Sequence, residues 1–461
     1  MTKKSLLKND EHLPDYIEPK DYLIDLWERL TPSVCDEVFE LTRDKERQRK
    51  WGLHTILKTW IGLLQTKLTS QTRMVEEFCR RGHPLFPQVE ASPESFFKRI
   101  QNLRPAFFKN IFTHYTNDIR YDFPENFISD IEISEEVFPQ IYAVDASRLA
   151  SVGRVLKVAK KTTKAIIPGS IEAVYDLRRG HIHELWFDPD GARSEMAMFD
   201  KVVDSIEPCS LLVSDRYYSK PIIWKNLENR GIAMVSRYNG TVGKIKKKVL
   251  KKIRTSKISV DDWLVEMGGS QHGEEPILLR WISVRTGESQ VTLITNVLDP
   301  KILSVEQAVA LYRRRWSIER MYLHLKEVLS LNTLFNASPS AVGQQVFATA
   351  ILYNALRLSQ SKIAHTVGII PERISPEKLF PRVMEKILQL AIVEMAYENA
   401  NEHQIDYKKK LQSQTSFQRG ISFCFSKEFL WKNETEREEK EDFARGEKVG
   451  QHIEKYLEEE S

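Results

Sequence analysis

The sequence has few cysteines and no long apolar run. Its four cysteines, Cys35, Cys79, Cys209 and Cys424, lie far apart and form no CxxC pair. This spacing argues against a zinc ribbon and against a disulfide framework, and it fits a reducing compartment. No segment approaches the roughly 18 to 20 apolar residues of a membrane span, and the first residues contain no apolar signal segment. We therefore expect a cytoplasmic protein that does not enter a membrane.

Charge is distributed unevenly along the 461 residues, whose net charge is only +4. The segment from Glu434 to Ser461 holds eleven acidic and five basic residues, a net of −6, so residues 1–433 carry +10. Two short runs, 156–164 and 244–257, are strongly basic. Such a run is most often a solvated face or a loop, and a nucleic-acid contact is the alternative.

Apolar periodicity divides the chain into five regions. Residues 1–125 have helical spacing and are predicted to be a helical N-terminal region. Residues 126–237 alternate strand and helix patterns, and residues 238–303 have the pattern of an inserted β-subdomain. Residues 304–370 are predicted to be the second part of the core, and residues 371–461 a helical C-terminal region with an acidic tail.

The order of elements within 126–237 predicts the fold class. A strand is followed by a two-stranded hairpin, a helix, a strand, a helix and a strand. This order is typical of the mixed sheet in ribonuclease-H-like folds. We predict an α/β protein whose ribonuclease-H-like core carries an inserted β-rich subdomain, with a helical domain before the core and a helical region after it.

Two aspartates lie where apolar strand patterns end. Asp145 ends "YAVD" and Asp215 ends "LLVSD". Functional groups collect at strand ends in open sheets, although a lone aspartate there is more often a turn or helix cap. In the predicted topology the first and fourth strands are neighbours, so the two aspartates would lie close together.

A third candidate carboxylate lies on a later helix. Ser304 and Gln307 form a capping-box pattern, which predicts a helix from near Val305 to about Leu331. At 100° per residue, one inward-facing stripe of this helix contains Tyr312, Arg315, Glu319 and Lys326.

Glu319 on that stripe has two interpretations. An inward carboxylate is unfavourable unless it is paired or binds a cation. The first interpretation is a structural ion pair with Arg315, one turn away. The second is a site in which Asp145, Asp215 and Glu319 converge and hold divalent cations, since Mg²⁺ takes oxygen ligands and retains substrate phosphates.

The spacing Tyr312, Arg315, Glu319 and Lys326 resembles the Y-(2)-R-(3)-E-(6)-K signature of DDE transposases of the insertion-sequence-four family. Asp145 and Asp215 resemble the first and second aspartates of that family. The likeness extends over about residues 90–370, and it implies that the helical N-terminal region 1–125 binds DNA. It implies a Mg²⁺-dependent (or Mn²⁺-dependent) enzyme that cuts at transposon ends and joins the freed 3′-hydroxyl to target DNA.

The resemblance also implies roles for individual residues. Asp145, Asp215 and Glu319 would be the catalytic metal ligands, and Tyr312, Arg315 and Lys326 would contact terminal phosphates. The partners would be double-stranded DNA, both terminal inverted repeats and target, bound by a homodimer on the bacterial nucleoid.

The chain departs from the family at two places, and other functions stay open. Tyr217 stands where the family usually has glycine, and Val291 stands near a position where some relatives place a base-stacking tryptophan, for which Trp281 is a substitute candidate. The alternatives are a non-catalytic DNA-binding protein derived from a transposase and a metal-dependent nuclease of the same fold.

Overall fold

The computed structural model describes most of the chain between residues 20 and 385. The predicted acidic tail and the basic run 156–164 lie outside the described residues. The described ranges are 20–42, 49–66, 71–80, 88–124, 127–128, 131–149, 169–191, 198–240, 243–268, 276–287, 289–336, 338–366 and 368–385.

Within these ranges, nine β-strands form one mixed sheet. Their bounds are β1 Ile141–Arg148, β2 Ser170–Asp176, β3 His181–Asp188, β4 Leu211–Ser214, β5 Ala233–Arg237, β6 Lys244–Arg254, β7 Ile258–Met267, β8 Ile277–Thr286 and β9 Ser289–Thr295. The order across the sheet is β3-β2-β1-β4-β5-β9-β8-β7-β6.

Strands β1 to β5 have the ribonuclease-H-like arrangement. β1 is antiparallel to β2, and β2 is antiparallel to β3. On its other side β1 lies parallel to β4, which lies parallel to β5. The prediction that the first and fourth strands are neighbours is confirmed, and so is the predicted fold class.

Helices cover both faces of the sheet. Their bounds are α1 Lys20–Arg29, α2 Pro32–Glu40, α3 Leu53–Gln65, α4 Gln71–Arg80, α5 Pro93–Asn102, α6 Pro105–Ile119, α7 Phe199–Asp204, α8 Pro221–Asn229, α9 Val305–Arg314, α10 Trp316–Leu323 and α11 Pro339–Thr366. A further helical stretch covers 376–385. None of the described helices combines the length and the apolar character that crossing a bilayer requires.

Side chains of the central strands alternate between two apolar cores. Ile141 and Ala143 of β1 join the larger core with the N-terminal helices and α11, whereas Tyr142 and Val144 join the smaller core under α7 and α8. This alternation follows from the two-residue period of a strand. Asp145 continues the odd series and therefore faces the larger core.

Helix α11 is the centre of the larger core. It is buried along most of its length and packs against α1, α3, α5, α6 and β3. The Trp60 indole donates a 3.0 Å hydrogen bond to Gln344 of α11, whose amide donates to the carbonyls of Ile100 and Leu103. The N-terminal helices thus share a core with α11, and the domain boundaries drawn from the sequence stay predictions.

The strands of residues 238–303 continue the core sheet, because β9 pairs with β5. For the basic run 244–257 the sequence suggested a loop or a solvated face; most of the run is strand β6, which is exposed along most of its length at the sheet edge and so forms a solvated face and not a loop. Lysine is disfavoured in strands, yet it is common on edge strands, where it prevents pairing with other chains.

The helix predicted from Val305 to about Leu331 is divided into three parts. The capping box is confirmed, since Ser304 and Gln307 exchange side-chain hydrogen bonds with each other's backbone N–H. Helix α9 ends and α10 begins at Arg315. The N–H of Arg315 donates a hydrogen bond to the carbonyl of Tyr312, three residues earlier, as in a 3₁₀ turn. After α10 the residues His324–Val328 form a π-helical turn, a feature often found at functional sites.

Candidate active site

Asp145 and Asp215 lie at the ends of neighbouring parallel strands. In the register of β1 and β4, Ala143 pairs with Val213. Each aspartate is two residues beyond this pair, so both side chains leave the sheet on the same face. The carbonyl of Asp215 accepts a 2.9 Å bond from the Ser236 hydroxyl of β5, which fixes the end of β4. The sheet therefore brings the two predicted residues together.

Glu319 reaches the same place from α10, which packs against β1 and β2. Nη1 of Arg315 lies 2.7 Å from Oε1 of Glu319 and 3.7 Å from Oδ2 of Asp145. Because one guanidinium nitrogen contacts both carboxylates, Asp145 and Glu319 converge on a single point. The stripe predicted from helical periodicity thus faces the end of β1.

Arg315 is a buried cation. Its side chain is 8% exposed, whereas those of Asp145 and Glu319 are 22% and 32% exposed. Burial lowers the pKa of Arg315, but Tyr312, Glu319 and Asp145 oppose this and hold the pKa above its ordinary value. The guanidinium carbon also lies 5.0 Å from the ring centroid of Trp316. The side chain stays charged next to the carboxylates.

Lys326 holds the end of β1. Its Nζ donates a 2.6 Å bond to the Ser147 hydroxyl and a 3.0 Å bond to the carbonyl of Arg148. Burial lowers its pKa, while the charges of Glu327 and Asp145 act in the opposite direction. Lys326 lies in the π-helical turn and reaches the same end of β1 as Glu319.

Tyr312 and Tyr322 are both buried beside the site. Tyr312 is 3% exposed, and its ring centroid is 5.8 Å from the Arg315 guanidinium, so its contact with DNA stays a prediction. The Tyr322 hydroxyl donates a 2.7 Å bond to the carbonyl of Asp145. Sequence reasoning missed this role, although Tyr322 follows Glu319 by three residues and therefore shares its helix face.

The opposite side of the same helix is held by the C-terminal region. Nη1 of Arg314 lies 2.8 Å and Nη2 of Arg320 lies 3.5 Å from Oε1 of Glu372, which is buried. His324 contacts Glu377 at 3.4 Å. These contacts were not predicted, since Glu372 lies 58 residues beyond Arg314 and carries no motif.

An open cleft adjoins Asp215. It has a volume of about 630 Å³, and Glu172, Asp188, Arg216, Tyr217 and Asn239 are among its lining residues. Tyr217, which stands where glycine was expected, is 40% exposed and forms part of the cleft wall. The cleft gives a large substrate access to the carboxyl end of β4.

The oxygen atoms at this site suit a hard divalent cation. Mg²⁺ and Mn²⁺ prefer carboxylate oxygens, which Asp145, Asp215 and Glu319 supply. In the part of the chain that the structure describes, however, no group of three or more His, Cys, Asp or Glu side chains is placed to hold a metal ion. Asp145 and Glu319 instead share the Arg315 guanidinium. The donor chemistry fits a metal, and the position between two of the donors is filled by a protein cation.

Comparison with known proteins agrees with this geometry. Residues 137–355 match the model of the transposase DDE domain family. The chain carries a transposase DDE domain. The matched range encloses β1 to β9, α9, α10 and α11 as far as residue 355, and the match agrees with the resemblance to insertion-sequence-four transposases that the signature predicted.

Three curated relatives are putative or probable transposases. One from Sinorhizobium fredii, y4zB, is 28% identical over 34% of this chain and 44% of its own length. One for insertion sequence element IS4SA from Synechocystis is 26% identical over 31% and 45%. One for IS5377 from Geobacillus stearothermophilus is 26% identical over 32% and 38%. The chain thus matches less than half the length of each relative.

One solved structure was also found to be similar. It is the piggyBac transposase synaptic complex with hairpin DNA, which is 10% identical over 84% of each chain with a TM-score of 0.39. At this score the likeness supports no conclusion about the chain, and the fold of the DDE domain follows from its own strand order.

Lysines lie over the aromatic rings of strands β7 and β8. Trp281, the candidate for stacking a base, is 9% exposed. Lys244 and Lys246 lie 4.6 Å and 5.0 Å from its ring centroid, and Lys246 also lies 4.6 Å from that of Trp263. These two ammonium groups would have to move before a base could stack on Trp281.

The lysines of β6 fall into two further groups. Lys247 and Lys251 are neutralised by Glu266 at 2.7 Å and Glu306 at 2.8 Å. Lys248 and Lys252 are exposed and make no ion pair with any residue that the structure describes. The edge of the DDE domain therefore presents a basic surface with two differently compensated sets of lysines.

Proposed function

We propose that this protein is a DNA transposase that cuts at transposon ends and joins the freed 3′-hydroxyl to target DNA by two-metal phosphoryl transfer. The observation that carries the proposal is the convergence of Asp145 and Glu319 on one cation position, with Asp215 in register on the adjacent strand. The transposase DDE domain at 137–355 supports the same conclusion.

The proposed roles follow from where the side chains lie. Asp145, Asp215 and Glu319 would hold Mg²⁺ or Mn²⁺, whose bound form stabilises the attacking and leaving oxygens of an in-line displacement. Arg315 and Lys326 flank the carboxylates and carry the positive charge that a terminal phosphate needs. Tyr322 holds the backbone of Asp145, which keeps its carboxylate at the end of β1.

Double-stranded DNA is the proposed partner, as terminal inverted repeats and as target. The 630 Å³ cleft beside Asp215 is open to a large substrate, and the lysines of β6 provide a basic edge for the DNA backbone. Because two transposon ends must be held together, we propose a homodimer on DNA.

The test is a strand-joining assay with the full chain and oligonucleotides from the inverted repeats that flank its gene. With Mg²⁺, wild-type protein should nick the ends and join them to a target plasmid. Asp145→Asn should abolish both reactions while leaving end binding intact. The matched control is Asp200→Asn, which changes an exposed carboxylate of α7 that lies outside the cleft lining and the proposed ligand set, and it should retain joining.

The outcomes separate three functions. Joined products support a transposase. Cutting without joining would identify a metal-dependent nuclease, and binding alone would identify a DNA-binding protein derived from a transposase. Either of the last two results overturns the proposal.

A further inference from the structure

The Arg315 guanidinium occupies the space between two of the proposed metal ligands. Its Nη1 is 2.7 Å from Glu319 and 3.7 Å from Asp145, and its side chain is 8% exposed. The carboxylates are both more accessible than the arginine that neutralises them. The site thus combines a buried guanidinium with two partly exposed carboxylates.

Arg315 is held there almost entirely by those carboxylates. Its Nε is buried and donates no hydrogen bond to any described residue. The Tyr312 and Trp316 rings lie 5.8 Å and 5.0 Å from the guanidinium carbon and give it a cation-compatible wall. The backbone of Arg315 lies at the junction of α9 and α10, where the regular helical bonding is interrupted. A second anion could therefore draw the side chain away.

Lys326 does not compete for the same place. Its ammonium group is engaged by the Ser147 hydroxyl and the Arg148 carbonyl, at 2.6 Å and 3.0 Å. Arg315, in contrast, forms salt bridges to both Asp145 and Glu319. It therefore supplies positive charge between these two carboxylates.

A divalent cation and this guanidinium cannot share the site. Carboxylate oxygens hold Mg²⁺ or Mn²⁺ at about 2.0 to 2.6 Å, which would place the ion against Nη1. Two cations at such a distance in a partly buried site repel strongly. The guanidinium must leave before a metal binds between Asp145 and Glu319, and a departing buried cation needs another anion.

We propose that Arg315 occupies the cation position in the DNA-free protein, and that a DNA phosphate draws it off the carboxylates, so that metal binds tightly only with DNA. The inference rests on the proposed function, because it takes DNA as the substrate. It makes Arg315 a specificity-determining residue, since the free protein is kept from loading metal and cutting unselected DNA. By linkage, metal must strengthen DNA binding by the same factor.

The experiment measures Mn²⁺ binding to the full chain by electron paramagnetic resonance, with and without end DNA. Without DNA, Arg315→Gln should bind Mn²⁺ about 10- to 100-fold more tightly than wild type. Arg315→Lys keeps a cation and should stay near wild type, which separates charge from packing. Arg313→Gln is the matched control, since two residues along a helix point about 200° apart. For wild type, end DNA should raise Mn²⁺ affinity by a similar factor.

Equal Mn²⁺ affinity of wild type and Arg315→Gln without DNA, in proteins with the same circular dichroism, would overturn the inference. So would a wild-type affinity that DNA does not change. Neither readout requires catalysis, so failure of the proposed function would show separately, as absent strand joining by a protein whose Mn²⁺ binding still depends on Arg315.

Discussion

Two arginine–carboxylate pairs in this protein differ in burial and in how many guanidinium nitrogens have a partner. Arg280 of β8 and Asp262 of β7 are both 0% exposed and form two bonds, at 2.9 Å and 2.7 Å. A third donor of Arg280 bonds the carbonyl of Leu303, immediately before the Ser304 cap of α9. Every nitrogen of this guanidinium has a partner. Arg315 contacts Asp145 and Glu319 through Nη1, and its Nε has no hydrogen-bond partner among the described residues.

The difference is one of access to ligands: one pair is fully buried, whereas the other is partly exposed. Arg280 and Asp262 satisfy each other and tie β7 and β8 to the start of α9, so neither charge is available to a ligand. Arg315 faces carboxylates that remain 22% and 32% exposed, so an incoming cation or phosphate can exchange with it. Four measurements can contradict or refine this contrast.

The largest effect is expected for the partly exposed pair of Arg315 and Glu319, called the open pair below. Glu319→Gln should lower strand joining by on the order of 10³-fold or more, because a proposed metal ligand is lost. Its effect on the free energy of unfolding should stay within about 1 kcal/mol, since Glu319 is partly exposed and Arg315 retains Asp145. Joining assays and urea denaturation measure the two quantities. A variant that joins normally but unfolds easily would make this pair structural too.

For the fully buried pair of Arg280 and Asp262, the closed pair, we expect an effect on the free energy of unfolding. Asp262→Asn leaves the buried Arg280 charge uncompensated and should reduce the free energy of unfolding by roughly 3 to 5 kcal/mol. Glu266→Gln, which breaks the exposed pair with Lys247, is the control and should change it by less than about 1 kcal/mol. Thermal and urea unfolding provide the measurement. Similar small losses in both variants would contradict the contrast between closed and open pairs.

Lys326→Ala tests whether a basic residue beside the open pair acts on DNA. It should weaken binding to precleaved ends about tenfold, because a charged hydrogen bond to phosphate is lost. The melting temperature should change little, since the contacts of Lys326 with Ser147 and Arg148 involve neutral groups that can bond to water. If the variant instead unfolds readily while its folded fraction joins ends normally, the lysine has only a structural role.

The smallest effect is expected on β6. Replacing Lys248 and Lys252 by Gln should flatten the dependence of log affinity on log salt by up to about two units, roughly one for each phosphate that a lysine no longer neutralises. Replacing Lys247 and Lys251, which are already paired with carboxylates, should change this slope less. Titration of end DNA at several salt concentrations compares the double variants. Equal slopes for both variants and wild type would make β6 an ordinary solvated edge.

Local patterns predicted the parts of the site that local rules control. The two-residue period of the strands and their ends located Asp145 and Asp215, and the 100° step of a helix aligned Arg315, Glu319 and Lys326. The capping box placed the start of α9 correctly. The basic run was a poorer guide, since lysine-rich sequence has little preference for a strand and β6 depends on pairing with β7.

Contacts between distant segments could not be derived in this way. Glu372, which pairs with Arg314 and Arg320, lies in a separate segment more than 50 residues later in the chain. The periodicity of one helix cannot predict a contact with that segment. The interruption at Arg315 and the π-helical turn that begins at His324 also have no signal in the apolar spacing. They arise where the helix is fitted between β1 and the C-terminal region.

Backbone periods set by neighbouring residues were enough to predict the fold class, the two strand-end aspartates, the spacing of the helical signature and the pairing of Arg315 with Glu319 one turn away. Only the tertiary structure shows that Arg315 also contacts Asp145. Asp145 is 170 positions away along the chain, and only the packing of α10 on β1 brings its carboxylate to the guanidinium. The strength of an ion pair depends on the distance between the charges and on the exclusion of water, and neither can be derived from sequence position.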